Sequence, residues 1–237
     1  MNALAEGFLF AAAASQQQCC ALISKSYTRN VLKNDIDRVS IWESEERIYE
    51  GWNGTEPHLQ DWKENFDVCP NRDGIHHGCA VSVDRLLRAL IDIEESTKKP
   101  VTEVGHSQGG AHAHVSAYYK RRQAHMRSAG PISYGGSPWA MDEYCVPSGV
   151  RVTCGRDPVP CDRLAWLPFF RRIKRLPRIH LVGCPGARKL CVLDHDYIVY
   201  ARGIARFSAN IGDVEGERKM YELMGVCNQQ WRTLEQI

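Results

Sequence analysis

No apolar run in this 237-residue chain approaches the roughly 20 residues needed to cross a bilayer as a helix, so no transmembrane segment is expected. Large net charge is absent as well. Lysine and arginine outnumber aspartate and glutamate by only two, which gives no reason to expect nucleic acid as a partner. The sequence has no internal repeat, no low-complexity tract and no composition break that would mark an interdomain linker. It contains no C-x-x-C pair and no compact Cys/His block, so a structural zinc site is not expected. The N-terminal run Gly7-Phe8-Leu9-Phe10, followed by four alanines, has the shape of a secretory h-region. It lacks a basic n-region, and Glu6 stands where lysine or arginine would be needed. The run is read as a first helix over residues 3–26. A soluble, cytoplasmic setting is then the expectation. The compartment stays open because the chain has ten cysteines, scattered as small apolar core residues or as unassigned disulfide partners.

What is present is an ordinary globular composition, 43% hydrophobic and 24% charged, at a length that suits one domain spanning 1–237. Short β-favouring runs occur at Arg38–Trp42, Arg47–Trp52, Pro100–Val104, Pro131–Tyr134 and Val150–Cys154. Arg178–Val182 also reads as extended. Between them, Val83, Leu86, Leu87, Leu90 and Ile91 recur in helical phase and predict a helix over about Val81–Glu95. The final 45 residues read as mostly helical. Strands alternating with helices indicate an α/β fold with a mostly parallel sheet.

The sharpest motif is Gly105-His106-Ser107-Gln108-Gly109-Gly110, a G-x-S-x-G with a further glycine. A strand-like run precedes it and a helix-permissive one follows. That context suits a nucleophile elbow, where a tight turn lifts a serine hydroxyl above the sheet edge. A serine needs a general base to remove its proton, and the base needs an acid to orient it. In elbow enzymes these follow in the order serine, acid, histidine. Asp157 is the leading acid, just beyond the strand ending at Cys154 and held in Asp157-Pro158-Val159-Pro160; Asp162 is second. Only His180 and His195 lie downstream. His195, in Leu193-Asp194-His195-Asp196-Tyr197, sits at the entrance to a predicted helix and is preferred to His180, which falls inside a strand. The other seven histidines, among them His112 and His114, are assigned surface or structural roles. The backbone N–H of Gln108 is one oxyanion donor by position, and Asn53-Gly54-Thr55 can supply another through Thr55.

With these residues in place, the chain resembles the class 3 lipases, a family of fungal triacylglycerol lipases, plant acyl hydrolases and phospholipase A1-like enzymes. Trp52-Asn53-Gly54-Thr55 resembles the family's F-R-G-T/S segment, and Asp61–Asn65 its D-W-x-x-N. Ile75–Cys79 is similar to V-H-x-G-F, Gly105–Gly110 to G-H-S-L-G-G, and Tyr134–Pro138 to the F-G-x-P strand end. Asp157–Pro160 repeats D-P-V-P, and Asp194-His195 the late D-H. The likeness covers about residues 41–205, leaving the N-terminal helix and a helical segment of about 206–237 outside it.

The resemblance implies an α/β-hydrolase fold with a short lid-like segment at Glu56–Trp62. It implies a serine esterase that needs no metal or organic cofactor, with Ser107, Asp157 and His195 catalytic and Thr55 and Gln108 forming the oxyanion hole. Its substrates would be the esters of acylglycerols or phospholipids. Asn53 replaces the family's arginine, Gln108 a leucine and Cys79 a phenylalanine, and the second change makes the pocket wall more polar. A small-ester, thioester or acyl-transfer enzyme on the same triad is the alternative, and a non-catalytic lipid-binding protein of the same fold is a further one. The aromatic and basic stretch at 166–178 is a candidate contact with an anionic lipid surface, against the plainer reading of an exposed loop. Head group, chain length and oligomeric state are not legible.

Overall fold

The computed structural model describes residues 1–34, 37–54, 71–72, 74–124, 128–136, 149–160, 178–183 and 192–234. Seven strands form one sheet in sequential order: β1 (Thr28–Lys33), β2 (Arg38–Glu43), β3 (Ile48–Trp52), β4 (Val101–His106), β5 (Ile132–Tyr134), β6 (Val150–Cys154) and β7 (Arg178–Leu181). β1 to β3 pair antiparallel, and β3 to β7 run parallel. Parallel strands need crossovers, and among the described residues two of these are helical: α2 (His77–Thr97) between β3 and β4, and α3 (Gln108–Ala124) between β4 and β5. Among the described residues the chain ends in α4 (Tyr197–Asn210) and α5 (Val214–Leu234), which pack together behind the sheet.

Strand alternation divides the core in two. On β2 and β3, Val39, Ile41, Ile48 and Trp52 face α2 and α3, whereas Trp42 and Tyr49 face the other side. That second side is filled by α1 (Ala3–Ser15), an apolar helix with ten buried residues from Leu4 to Ala14. A helix apolar all round needs protein on every side. Here β3 and β4 lie beneath it, and α4 and α5 pack against it. Phe10 stacks on Tyr49 at 4.1 Å and Phe8 tilts against Tyr134 at 4.8 Å. The run that resembles an h-region is therefore a core helix. Glu6, out of place in such a region, accepts the hydroxyls of Tyr49 at 2.7 Å and Tyr27 at 3.1 Å.

The expected helix over 3–26 is shorter in the structure. It stops at Ser15, Gln16 turns extended, and Gln17–Leu22 continues as a 3-10 helix. The polar run Ser15–Gln18 has no place inside the all-apolar slot that α1 fills. β1 escaped the sequence reading because its side chains are almost all exposed, leaving no alternating pattern to detect.

One buried polar cluster lies between the sheet and its helices. The Lys120 ammonium on α3 contacts Glu50 on β3 and Glu94 on α2, both at 2.8 Å, and Glu103 on β4 at 2.7 Å. Glu50 and Glu103 stand opposite each other in the β3–β4 register. Trp52 Nε1 and Ser116 Oγ also donate to Glu50, each at 2.6 Å. Burial opposes ionisation of Glu50, but the Lys120 charge and hydrogen bonds from Glu94, Lys120 and Ser116 hold it below the usual carboxylate range. Burial, reinforced by the Glu50 and Glu103 charges and only partly offset by Lys120, pushes Glu94 up to about 9.

A folded-state pKa raised above the unfolded value means that folding carries a proton through the neutral range. Stability should therefore fall as pH rises from about 5 to 9, with a slope of at most about 1.4 kcal/mol per pH unit for one proton. Glu94→Gln mimics the protonated carboxyl, so its melting temperature is expected to exceed the wild type's by a margin that widens over that interval. Thermal melts at several pH values check this, and a constant gap would contradict it.

Candidate active site

The turn after β4 carries Ser107 at a φ of 57°, in the left-handed region that a non-glycine residue rarely occupies. Two close approaches hold it there. A Cβ on Gly105 would run into the carbonyl of Gly109, and one on Gly109 would run into the carbonyls of Trp52 and Asn53. Both positions of the motif thus require glycine because backbone meets backbone. Ser107 N–H donates to Tyr134 O at 3.0 Å, which ties the turn to β5. Gln108, the first residue of α3, places its backbone N–H at a helix N-terminus, where the peptide dipoles favour negative charge.

His195 is delivered from the opposite side by a 3-10 turn, Val192–His195, just ahead of Asp196, which caps α4 by accepting Ile198 N–H at 2.7 Å. Its Nε2 lies 2.9 Å from Ser107 Oγ, and its Nδ1 lies 2.8 Å from Asp157 Oδ2. Asp157 follows β6 and is buried. Its other oxygen, Oδ1, accepts Val159 N–H at 2.9 Å, so the Asp-Pro-Val-Pro turn fixes its rotamer. Ser107, His195 and Asp157 are therefore joined in one hydrogen-bonded chain, although they are separated by 88 and 38 positions in sequence.

Three further residues support these side chains. Tyr200, buried on α4, donates to the same Asp157 Oδ2 at 2.8 Å, and burial next to that carboxylate pushes its phenol well above the usual range. His106 is buried against His195. Its ring lies 4.7 Å from that of His195 and 4.2 Å from that of Tyr197. Burial, with the neighbouring His195, holds His106 well below the usual histidine range. A neutral ring can lie face to face with an imidazolium without repelling it. Asp194, fully buried, accepts Arg156 N–H at 2.7 Å and so ties the histidine turn to the loop that carries Asp157. The Asp194-His195 pair signals that role in sequence; nothing signals Tyr200.

Tyr200→Phe should reduce kcat/KM about tenfold, since hydrogen bonds to a charged group are worth about 1.5–3 kcal/mol and part of that acts through Asp157. Steady-state kinetics on a soluble ester checks this, and an unchanged kcat/KM would contradict it.

A cavity of about 310 Å³ opens at Ser107 and His195, lined by Ser15, Gln16, Asn53, Gly54, His106 and Tyr197. Asn53 is buried and accepts Arg38 N–H at 3.2 Å, bracing the end of β3 against β2. Of the other sequence candidates, His180 pairs with Thr153 Oγ1 at 3.0 Å on β6 rather than with Ser107. Thr55, the lid-like segment Glu56–Trp62, Asp162 and residues 166–177 lie outside the described residues. Cys19, Cys79 and Cys154 are buried, and Cys20 is half-buried.

No family model and no curated protein matches the sequence. Solved structures do match. The Rhizomucor miehei lipase, in its propeptide complex, is 16% identical with a TM-score of 0.60 over 83% of this chain and 79% of that one. Lipase II from Rhizopus niveus is 15% identical with a TM-score of 0.61 over 81% and 92%. A triacylglycerol lipase from Penicillium expansum is 17% identical with a TM-score of 0.50 over 76% and 81%. The chain has the fungal lipase-like α/β-hydrolase fold. At these identities the likeness is one of architecture. Within that architecture the strand–turn–helix at Ser107 and the loops after β6 and β7 lie at the carboxyl ends of parallel strands, where open α/β sheets bind their ligands.

Proposed function

We propose that this protein is a serine esterase or lipase that cleaves carboxylic ester bonds of lipids, acylglycerols or phospholipids, through an acyl-enzyme. The observation that carries the reading is the Ser107–His195–Asp157 hydrogen-bonded chain, with the serine at positive φ on its elbow. His195 Nε2 takes the Ser107 proton as Oγ attacks the ester carbonyl. Asp157, on Nδ1, stabilises the imidazolium and fixes its tautomer. The tetrahedral oxyanion is held by the backbone N–H of Gln108 at the α3 N-terminus and by Thr55. His195 then gives its proton to the departing alcohol. Water, deprotonated by the same nitrogen, attacks the acyl-enzyme, and collapse of the second intermediate frees the acid and restores Ser107 Oγ–H. Every step uses protein groups and water.

A second reading, a small-ester, thioester or acyl-transfer enzyme on the same three residues, is favoured by the polar described wall of the cavity, where Ser15, Gln16 and Asn53 stand. A hydrolysis panel of triacylglycerol, phospholipid, galactolipid and short esters separates the two, with Ser107→Ala as control. Turnover rising with acyl length supports the lipase reading, and turnover confined to short or activated acyl groups supports the second. The 166–178 stretch is proposed as a peripheral lipid contact only.

A further inference from the structure

The helix that fills the core also ends in the site. Ser15, the last residue of α1, lines the cavity beside Ser107 and His195, and its Oγ accepts the Gly54 N–H at 2.9 Å. Gly54 lies directly against the elbow. An atom at its Cβ position would lie 3.3 Å from His106 O and 3.8 Å from both Ser107 Cβ and Ser15 Oγ. The Ser15 hydroxyl and the nucleophile's methylene therefore flank the same backbone unit, on the side where the chain continues from β3. Without the Gly54 bond, the peptide after Asn53 would lose this tether to α1.

The mount is stiff. Residues Leu4 to Ala14 of α1 are buried except Glu6, Arg38 Nη2 donates to Ala14 O at 3.2 Å, and Gln16 N–H donates to Ala12 O at 2.7 Å. A group on a buried helix whose last carbonyls accept two hydrogen bonds is placed with little loss of freedom when the substrate arrives. A surface serine at a helix end would need no such support and would not reach into a cavity.

We propose that Ser15 is a positioning residue for ester hydrolysis: it locks the Gly54 peptide, and with it the oxyanion-side wall, against the Ser107 elbow. The inference rests on the esterase reading above and adds the N-terminal helix to the active site. Its contribution belongs to the transition state, because misplacing a wall by a fraction of an ångström weakens the grip on a developing charge more than on a neutral carbonyl.

The test is a kinetic comparison of wild type, Ser15→Ala and Ser15→Thr on one soluble ester and on its thionoester, whose sulfur anion is a poor hydrogen-bond acceptor. The expected result for Ser15→Ala is a loss in kcat of about 10- to 100-fold with KM within about twofold. Ser15→Thr, which keeps the acceptor, should recover most of it, and the loss should shrink on the thionoester. If Ser15→Ala does not fold, Ser15→Cys, a weak acceptor of similar size, takes its place. A kcat equal to wild type, an equal loss in the alanine and threonine variants, or an equal loss on both substrates would overturn the proposal. Wild-type protein inactive on every ester and unlabelled at Ser107 would instead remove the esterase reading, and this inference with it.

Discussion

Ser107→Ala is expected to lose about 10⁴- to 10⁶-fold in kcat on any ester the wild type hydrolyses, and His195→Ala a similar amount. The two losses should not add in the double variant. Ser107 Oγ and His195 Nε2 are 2.9 Å apart and share one proton, so removing either partner disables the same step. Asp157→Ala should be similar or somewhat milder, because Asp157 acts through the imidazole. Matching melting temperatures would show that chemistry, and not folding, had been removed. Full activity in Ser107→Ala would end the assignment.

Lys120→Met should be the most damaging single change for stability, at about 3–5 kcal/mol. The wild-type ammonium is surrounded by three carboxylates in a buried layer that joins α2, α3, β3 and β4. Burial disfavours the ammonium, yet Glu103, Glu50 and Glu94 together hold it well above the usual lysine range. Methionine keeps the volume and leaves Glu50, the carboxyl held ionised, without a cation, so it must take up a proton or stay unpaired in the interior. A domain with about 5–15 kcal/mol in total cannot absorb that loss comfortably. The defect should shrink toward pH 5, where protons replace the missing charge, and should be reduced when Glu50, Glu94 and Glu103 are also changed to glutamine. Chemical unfolding at pH 5 and pH 8 checks this. A Lys120→Met midpoint within error of wild type at pH 8 would contradict it.

The elements that position the site were the legible ones. Val150–Cys154 is a strand with the same bounds in sequence and structure, and the runs at Arg38, Arg47 and Pro100 differ from β2, β3 and β4 by one or two residues. Their apolar alternation and β-branched content reflect burial directly. Chain order and turn chemistry single out Asp157 and His195, which the structure places in one hydrogen-bonded chain with Ser107, because a helix entrance and a strand exit constrain where a side chain can project. The helix over 3–26 was drawn too long because its polar tail carries no stop signal as strong as glycine or proline. Lys120, Glu50, Glu94 and Glu103 were invisible for a different reason. A charged residue in a single sequence reads as surface, and only the register of β3 against β4 brings the carboxylates onto one ammonium. Tyr200 and Ser15 are equally silent, since each acts across more than 35 positions through one hydrogen bond.

Those supporting contacts matter because the three central side chains have no covalent link and come from three separate segments. Asp194 ties the histidine turn to the aspartate loop, Ser107 N–H ties the elbow to β5, and Ser15 ties the end of β3 to α1. The core helix, the sheet and the two loops thus converge on one serine hydroxyl.

Labelling with a fluorophosphonate, followed by mapping of the modified peptide, tests the reactivity of that hydroxyl most directly. The account predicts a stoichiometric adduct on Ser107 in the wild type, none in Ser107→Ala, and labelling of His195→Ala slowed by orders of magnitude. An unlabelled wild type, or an adduct carried by any other residue, would contradict it.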